Sequence, residues 1–193
     1  MARPNQSEEK RARFLPVIAR CFAERGFRRT TTAELAAACG VQETILYRLW
    51  PGKKEMFLAA IEHVYRSSAE IWGEVVQNRA AGESRAERLL NYEAEHLGEF
   101  GLYRIIFAGL NETDDPEIRA ALRRMFERFQ GEIAGRIAEH RKHSGDRGVD
   151  VDQAAWAIIG MGMVANISRD VGTFDESERR ALISQVGRLL LDG

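Results

Sequence analysis

The stretch from Thr32 to Lys53, TAELAAACGVQETILYRLWPGK, constrains the fold most, because two short helices and a tight turn are written into it. Thr32 can cap the first of these helices with its hydroxyl, and Glu34 lies in the first turn, where free amides and the helix dipole favour negative charge. Leu35, Ala36 and Ala38 give that helix an apolar side, and Gly40 stands just past its end, where a left-handed backbone costs least without a Cβ. A second helix follows from Gln42 to Leu49, with Val41 and Leu46 placed to pack on the first, before Pro51-Gly52 breaks the chain again. Helix, short Gly-containing turn and helix make a helix-turn-helix, whose second helix reads the DNA major groove. The same pattern is open to any small helical domain, so the decision falls to the individual residues.

Leu35-Ala36, Gly40-Val41, Leu46-Tyr47, Trp50 and Pro51-Gly52-Lys53 stand in the order found in the TetR family of bacterial transcriptional regulators, which the chain resembles. The likeness begins near Arg13, takes in Ala19, Phe22, Gly26-Phe27 and Thr30-Thr31-Thr32, and runs on to Met56-Phe57. It is strong over the first third, and beyond that only length and helical layout agree. The resemblance implies a helix-turn-helix domain over residues 1–53 and a ligand-binding and dimerisation domain over residues 54–193. It further implies double-stranded DNA as partner, a homodimer joined through the last two helices, and a small-molecule effector of unknown identity.

Position by position, the resemblance puts Tyr47 near DNA backbone and bases, Lys53 on a phosphate at the start of the fourth helix, and Thr32 on a phosphate as well as in its cap. Sequence reading falls to Gln42, Glu43, Thr44, Ile45 and Arg48. Here the chain departs from family usage. Glu43 is repelled by phosphate but can accept from a cytosine amino group, and a surface pairing with a nearby Arg is equally open. Ile45 can meet a thymine methyl, and Arg48 a guanine or a phosphate. Leu49 stands where a His or Tyr often touches the backbone, so that contact is in doubt.

The formal charge of -1 hides a polarity. Residues 1–54 hold eleven Lys or Arg and five Asp or Glu, which gives +6 and leaves 17 against 24, or -7, for the rest. That is the distribution of a chain with one end on phosphates. Cys21 and Cys39 sit among small or apolar neighbours without CxxC spacing, so structural, buried thiols are expected. The longest apolar run, Ala154 to Ala165, falls short of the roughly 20 residues a bilayer needs, and no leader-like segment opens the chain. A soluble cytoplasmic protein is expected.

Strand-like alternation is absent, Pro is scarce, and an all-α protein of about nine helices follows. The first helix spans Ser7 to Arg25, capped by Ser7, with Phe14, Ile18, Cys21 and Phe22 inward. Pro16 falls inside it, so either the helix is kinked or it starts late and leaves residues 1–15 as a basic arm; Phe14 and Ile18, one turn apart, favour the kink. The fourth helix covers Lys53 to Asn78, the fifth Arg85 to Leu97 after a Ser84 cap, and the sixth Leu102 to Leu110. The seventh opens at Asp114-Asp115-Pro116 and reaches His143, before a polar turn at Gly145 to Gly148. The eighth, Val151 to Val171, is apolar nearly all round and must be covered on more than one side. The ninth, Glu176 to Leu191, puts Leu182, Ile183, Val186, Leu189 and Leu190 on one face. Gly160 and Gly162 would let helices of two protomers approach.

Trp72, Tyr92, His96, Tyr103, Phe107, Phe126, Phe129, Trp156 and Met163, with Met125 and Met161, supply apolar surface at inward spacings, enough for an effector cavity although each singly suits a core. Asn111, Asn166 and His96 offer polar groups to orient a ligand. Glu93 and His96 have the Glu-x-x-His spacing of a bundle metal site, but a second such pair is missing. His140 and His143 end a helix among cations. No HExxH, phosphate loop or nucleophile elbow is present. Neither catalysis nor a cofactor or metal is expected.

Overall fold

A computed structural model describes residues 6–77, 82–96, 103–144 and 148–192, which are helical with no strand among them. The helices are α1 (Gln6–Arg25), α2 (Thr32–Ala38), α3 (Glu43–Tyr47), α4 (Lys53–Gln77), α5 (Arg85–His96), α6 (Arg104–Leu110), α7 (Pro116–Ser144), α8 (Val151–Val171) and α9 (Glu176–Ala181). The last continues through a π-helical turn (Leu182–Val186) into α10 (Gly187–Asp192), so nine separate helical rods stand among the described residues. Asn78, Leu97, Leu102 and most of the turn expected at Gly145 to Gly148 lie outside the described residues, as does the side chain of His143.

Side-chain caps fix most helix starts. Ser84 Oγ accepts from the Glu87 amide while the Glu87 carboxylate accepts from the Ser84 amide, and Asp115 accepts from the amides of Glu117 and Ile118 beside Pro116. Asp150 and Asp175 cap α8 and α9 in the same manner, neither of which the sequence reading named. Two expected caps move. Ser7 lies within the first turn of α1, which starts at Gln6. Thr31, not Thr32, caps α2, because Thr31 is the residue with extended backbone (φ -99, ψ 157) that leaves its hydroxyl free to accept from the Glu34 amide. Pro16 stands inside a continuous α1, which disposes of a late start. Phe14 and Leu15 are buried, so the residues from Gln6 onward are no loose arm.

The chain forms two compact units, residues 1–67 with 100–125 and residues 68–99 with 126–193. This partition differs from a division after residue 53. The reason is that α6 packs on α1, and the first half of α4 and the first turns of α7 join the same core. In the first unit Phe22, Phe27 and Phe57 form an aromatic cluster, Phe22 and Phe57 edge to face at 4.9 Å, with Ile18, Leu35, Leu46 and Met56 fully buried beside them. Gly109 lets α6 approach α7 so closely that a Cβ there would stand 3.1 Å from Leu122.

The second unit is a helical stack whose core joins Ala134 and Ile137 to Ala154, Ala155 and Leu191, and Leu90 to Met161, Ala165 and Ile183. Gly187 fits because a Cβ there would overlap Leu90. Buried Arg141 holds the chain's end, donating to the carbonyls of Leu191 (3.1 Å), Leu190 (2.9 Å) and Val149 (2.6 Å). The final helix does not present one apolar face. Ile183 and Leu191 turn inward, whereas Val186 and Leu189 are exposed, in a helix interrupted by the π turn. On α8, Trp156, Val164, Ile167 and Val171 are also exposed.

Candidate nucleic-acid interface

Glu34 organises the entry to α2. Its carboxylate accepts from the Thr31 amide (2.8 Å) and hydroxyl (2.9 Å) and from Arg25 Nη1 (2.6 Å). The Thr31 amide, then its hydroxyl, hold this carboxyl below the usual range. Leu35 and Ala36 turn inward, but Ala38 is exposed and does not extend the apolar side. After α2 the chain reverses at Gly40, whose φ of +67 would strain any residue with a Cβ. The Val41 amide then bonds the Ala36 carbonyl at 3.0 Å, which closes the turn.

The short helix α3 is held by one side and displays the other. Leu46, Leu49 and Trp50 are buried, while Gln42, Glu43, Thr44, Tyr47 and Arg48 are exposed and Ile45 is half-buried. Tyr47, 48 % exposed, donates its hydroxyl to Thr32 Oγ1 at 3.2 Å, which joins α3 to the first residue of α2. The Leu49 side chain is turned inward, away from the exposed side of α3. The carbonyl of Leu49 accepts from Arg11 Nε at 3.0 Å and from Arg11 Nη2, with the guanidinium 6.0 Å from the Trp50 ring. Arg11 thus fixes the end of the helix-turn-helix from 38 positions away, and no local spacing announces it.

Lys53 ties the start of α4 to the turn ahead of α2. Its Nζ donates to the carbonyls of Phe27 and Thr30, both at 3.0 Å, and lies 4.5 Å above the Phe27 ring. One of its three N–H groups is left for a further acceptor. Thr30, fully buried, bonds the Gly26 carbonyl at 2.7 Å and stiffens the same turn. Several neighbouring cations are paired within the first unit, Arg28 with Glu112 at 2.8 Å and Lys54 with Glu117 at 2.6 Å and Asp115 at 3.4 Å. Arg48 is exposed with no acidic partner among the described residues, and neither does Glu43 have a basic one.

Residues named for an effector fall in different places. Trp72 is buried and donates its indole N–H to Glu93 at 2.6 Å, with Phe129 tilted 5.3 Å away. Burial raises the Glu93 carboxyl above its ordinary range, against the Trp72 bond and His96. Tyr92 and His96 stack at 4.3 Å, and His96 Nδ1 lies 3.0 Å from the Tyr92 carbonyl. Phe126 and Met163 are half-buried. Trp156 is 47 % exposed on the outer side of α8, so it is not a wall of an enclosed site. Tyr103 and Phe107 pack edge to face in the first unit, which also holds Asn111 and Met125, while Trp72, Tyr92, His96, Phe126, Phe129, Trp156, Met161 and Met163 belong to the second. Asn111 is exposed; Asn166 is buried, with its amide N–H on the Gly162 carbonyl and its Oδ1 unpartnered.

Cys21 and Cys39 are free and only half-buried; burial raises both thiols, Cys39 to about 11. Among the described residues no group of three His, Cys, Asp or Glu can hold a metal ion, and no helix is long and apolar enough to cross a membrane.

Residues 15–60, spanning the helix-turn-helix and the start of α4, match the model of bacterial regulatory proteins of the tetR family. The chain belongs to the TetR family. It is 28 % identical over 148 residues to a nucleoid occlusion factor, SlmA, of Pasteurella multocida, a match covering 76 % of this chain and 74 % of that protein. The fold is that of a TetR-family regulator from Cytophaga hutchinsonii, with a TM-score of 0.79 and 18 % identity over 98 % of this chain and 96 % of the other. It is also that of a transcriptional regulator from Saccharomonospora viridis solved with choline, with a TM-score of 0.77 and 20 % identity over 92 % and 95 % of the two chains. This TetR-family chain is a DNA-binding regulator, and its relatives are regulators and DNA-binding factors rather than enzymes.

Proposed function

We propose that this TetR-family protein is a homodimeric repressor which binds a near-palindromic operator and is released from it by a small apolar or aromatic ligand. The observation that carries the DNA-reading half is the division of α3, with Leu46, Leu49 and Trp50 holding it while Gln42, Glu43, Thr44, Tyr47 and Arg48 face outward. In this reading Glu43, Thr44, Ile45 and Arg48 meet base edges or their surroundings. Thr32, Tyr47 and the remaining N–H of Lys53 set register on phosphates. Two such helices would enter successive major grooves about 34 to 36 Å apart.

The exposed apolar residues of α8 and the last helix, Trp156, Val164, Ile167, Val171, Val186 and Leu189, support pairing with a second copy through those helices. The Trp72, Phe129 and Glu93 group, with the Tyr92 and His96 stack, supports an effector site in the second unit. The choline complex of the Saccharomonospora regulator supports small-molecule control in the same fold. The ligand would favour a conformer that no longer fits the operator, with a coupling of about 1 to 3 kcal/mol.

Selection of duplexes from a random DNA pool, with affinities of the winners at two salt concentrations, tests this reading. An enriched palindrome with steep salt dependence supports it, and absence of any enriched sequence overturns it. The relationship to a nucleoid occlusion factor favours a second reading, in which protein partners rather than a small ligand control DNA binding. Release of the selected operator by a small molecule decides for the first; indifference to a ligand library, with a response to a protein partner, decides for the second.

A further inference from the structure

In the second unit a cleft of about 440 Å³ is lined by the last turns of α4 together with Arg85 and Arg88 of α5 and Arg136 and Glu139 of α7. Three guanidinium groups therefore share a cleft with one carboxylate. Arg85 is paired with that carboxylate, Nη1 to Glu139 Oε1 at 3.2 Å. Arg88 spends its Nη groups on backbone, the Glu83 carbonyl at 2.7 Å and the Val76 carbonyl at 3.1 Å. These bonds staple α4 to α5 but leave its charge without a carboxylate among the described residues. Arg136 gives Nη2 to Glu132, one turn back on its own helix, at 3.2 Å.

The Nε of both Arg88 and Arg136 is buried and has no acceptor. A guanidinium N–H out of water with nothing to donate to is costly, and two on residues that line one cleft favour an incoming acceptor that a small rotation of either guanidinium would admit. The edge formed by Nε and an adjacent Nη is the one that grips the two oxygens of a carboxylate or phosphate. We propose that this cleft is an oxyanion site, in which Arg88 and Arg136 hold a carboxylate or phosphate group of a small molecule and Arg85 reinforces the positive field.

The site also bears on the effector, a step that rests on the ligand-released reading above. Val76 lies one turn past Trp72 on α4, Arg88 one turn before Tyr92 on α5, and Arg136 two turns past Phe129 on α7. The cleft therefore continues the helix faces that carry the aromatic residues. An effector with an apolar body and an anionic end would occupy both.

The test uses the full chain labelled with ¹⁵N. The Arg Nε–H resonances of Arg88 and Arg136 are identified through R88K and R136K, then followed during titration with sodium phosphate and, separately, sodium acetate, with chloride holding ionic strength constant. The expected result is a saturable shift of these two resonances, absent from exposed Arg119 and Arg123, and binding about tenfold or more weaker in R136Q. Saturation by phosphate alone identifies a phosphorylated ligand; saturation by acetate identifies a carboxylate. Linear shifts shared by exposed arginines, or R136Q binding as tightly as the parent, overturn the proposal. Lack of oxyanion binding together with intact operator release by a neutral ligand would remove this site and leave the regulator reading standing.

Discussion

Replacing Lys53 by Met separates its two roles. The Met stem can stay over Phe27, while the bonds to the carbonyls of Phe27 and Thr30 are lost. Two charge-assisted bonds from a half-buried ammonium, discounted for solvent, make the loss of stability about 1 to 3 kcal/mol. If the third N–H meets a phosphate in each protomer, the slope of log K against log salt falls by about 0.9 per protomer, or about 1.8 per dimer. The binding defect should then shrink about twelvefold between roughly 50 and 200 mM salt, alike on operator and scrambled DNA. Fluorescence anisotropy across that range reads the slope, and urea unfolding confirms that the variant is folded. A folded variant with an unchanged slope would make Lys53 a purely structural tie between α4 and the turn before α2.

Glu43→Ala should alter which sequences are enriched from a random pool while leaving the salt slope in place; an equal loss on every sequence would sink its base-reading role. Arg141→Met keeps the apolar stem but removes the guanidinium that donates to the Val149, Leu190 and Leu191 carbonyls, and should cost about 2 to 4 kcal/mol by urea unfolding. A loss within about 0.5 kcal/mol would show that water replaces the guanidinium. Glu93 has a folded pKa raised by burial, so the native state holds its proton more tightly than the unfolded chain. Its ionisation therefore removes stability as pH rises from the ordinary carboxylate range through the raised value. Glu93→Gln, which can still accept from Trp72, should flatten that decline in thermal midpoint, whereas parallel pH curves for the two proteins would refute the assignment.

The sequence by itself determined the helix-turn-helix and most helix boundaries, because these depend on neighbours along the chain. The left-handed turn at Gly40, the Ser84 and Asp115 starts and the span of α8 all follow from which residues stand within four positions of one another. The same local logic mislaid the α2 cap by one residue, since Thr30, Thr31 and Thr32 all offer hydroxyls. Backbone conformation, not composition, selects Thr31 among them. Tertiary structure alone decided what depends on distant partners. Arg11 bonds a carbonyl 38 positions away, Lys53 reaches back 23 and 26 positions, and Arg141 secures a helix end 49 and 50 positions on. Helical spacing could count Trp156 as inward and Leu189 as sharing a face with Ile183, yet both are exposed once their helices are packed. The pairing of Trp72 with Glu93, and of Arg88 and Arg136 across one cleft, likewise came from helices brought together by burial. A single sequence cannot announce such pairs, because the energy that selects them belongs to the assembled core and not to any one segment.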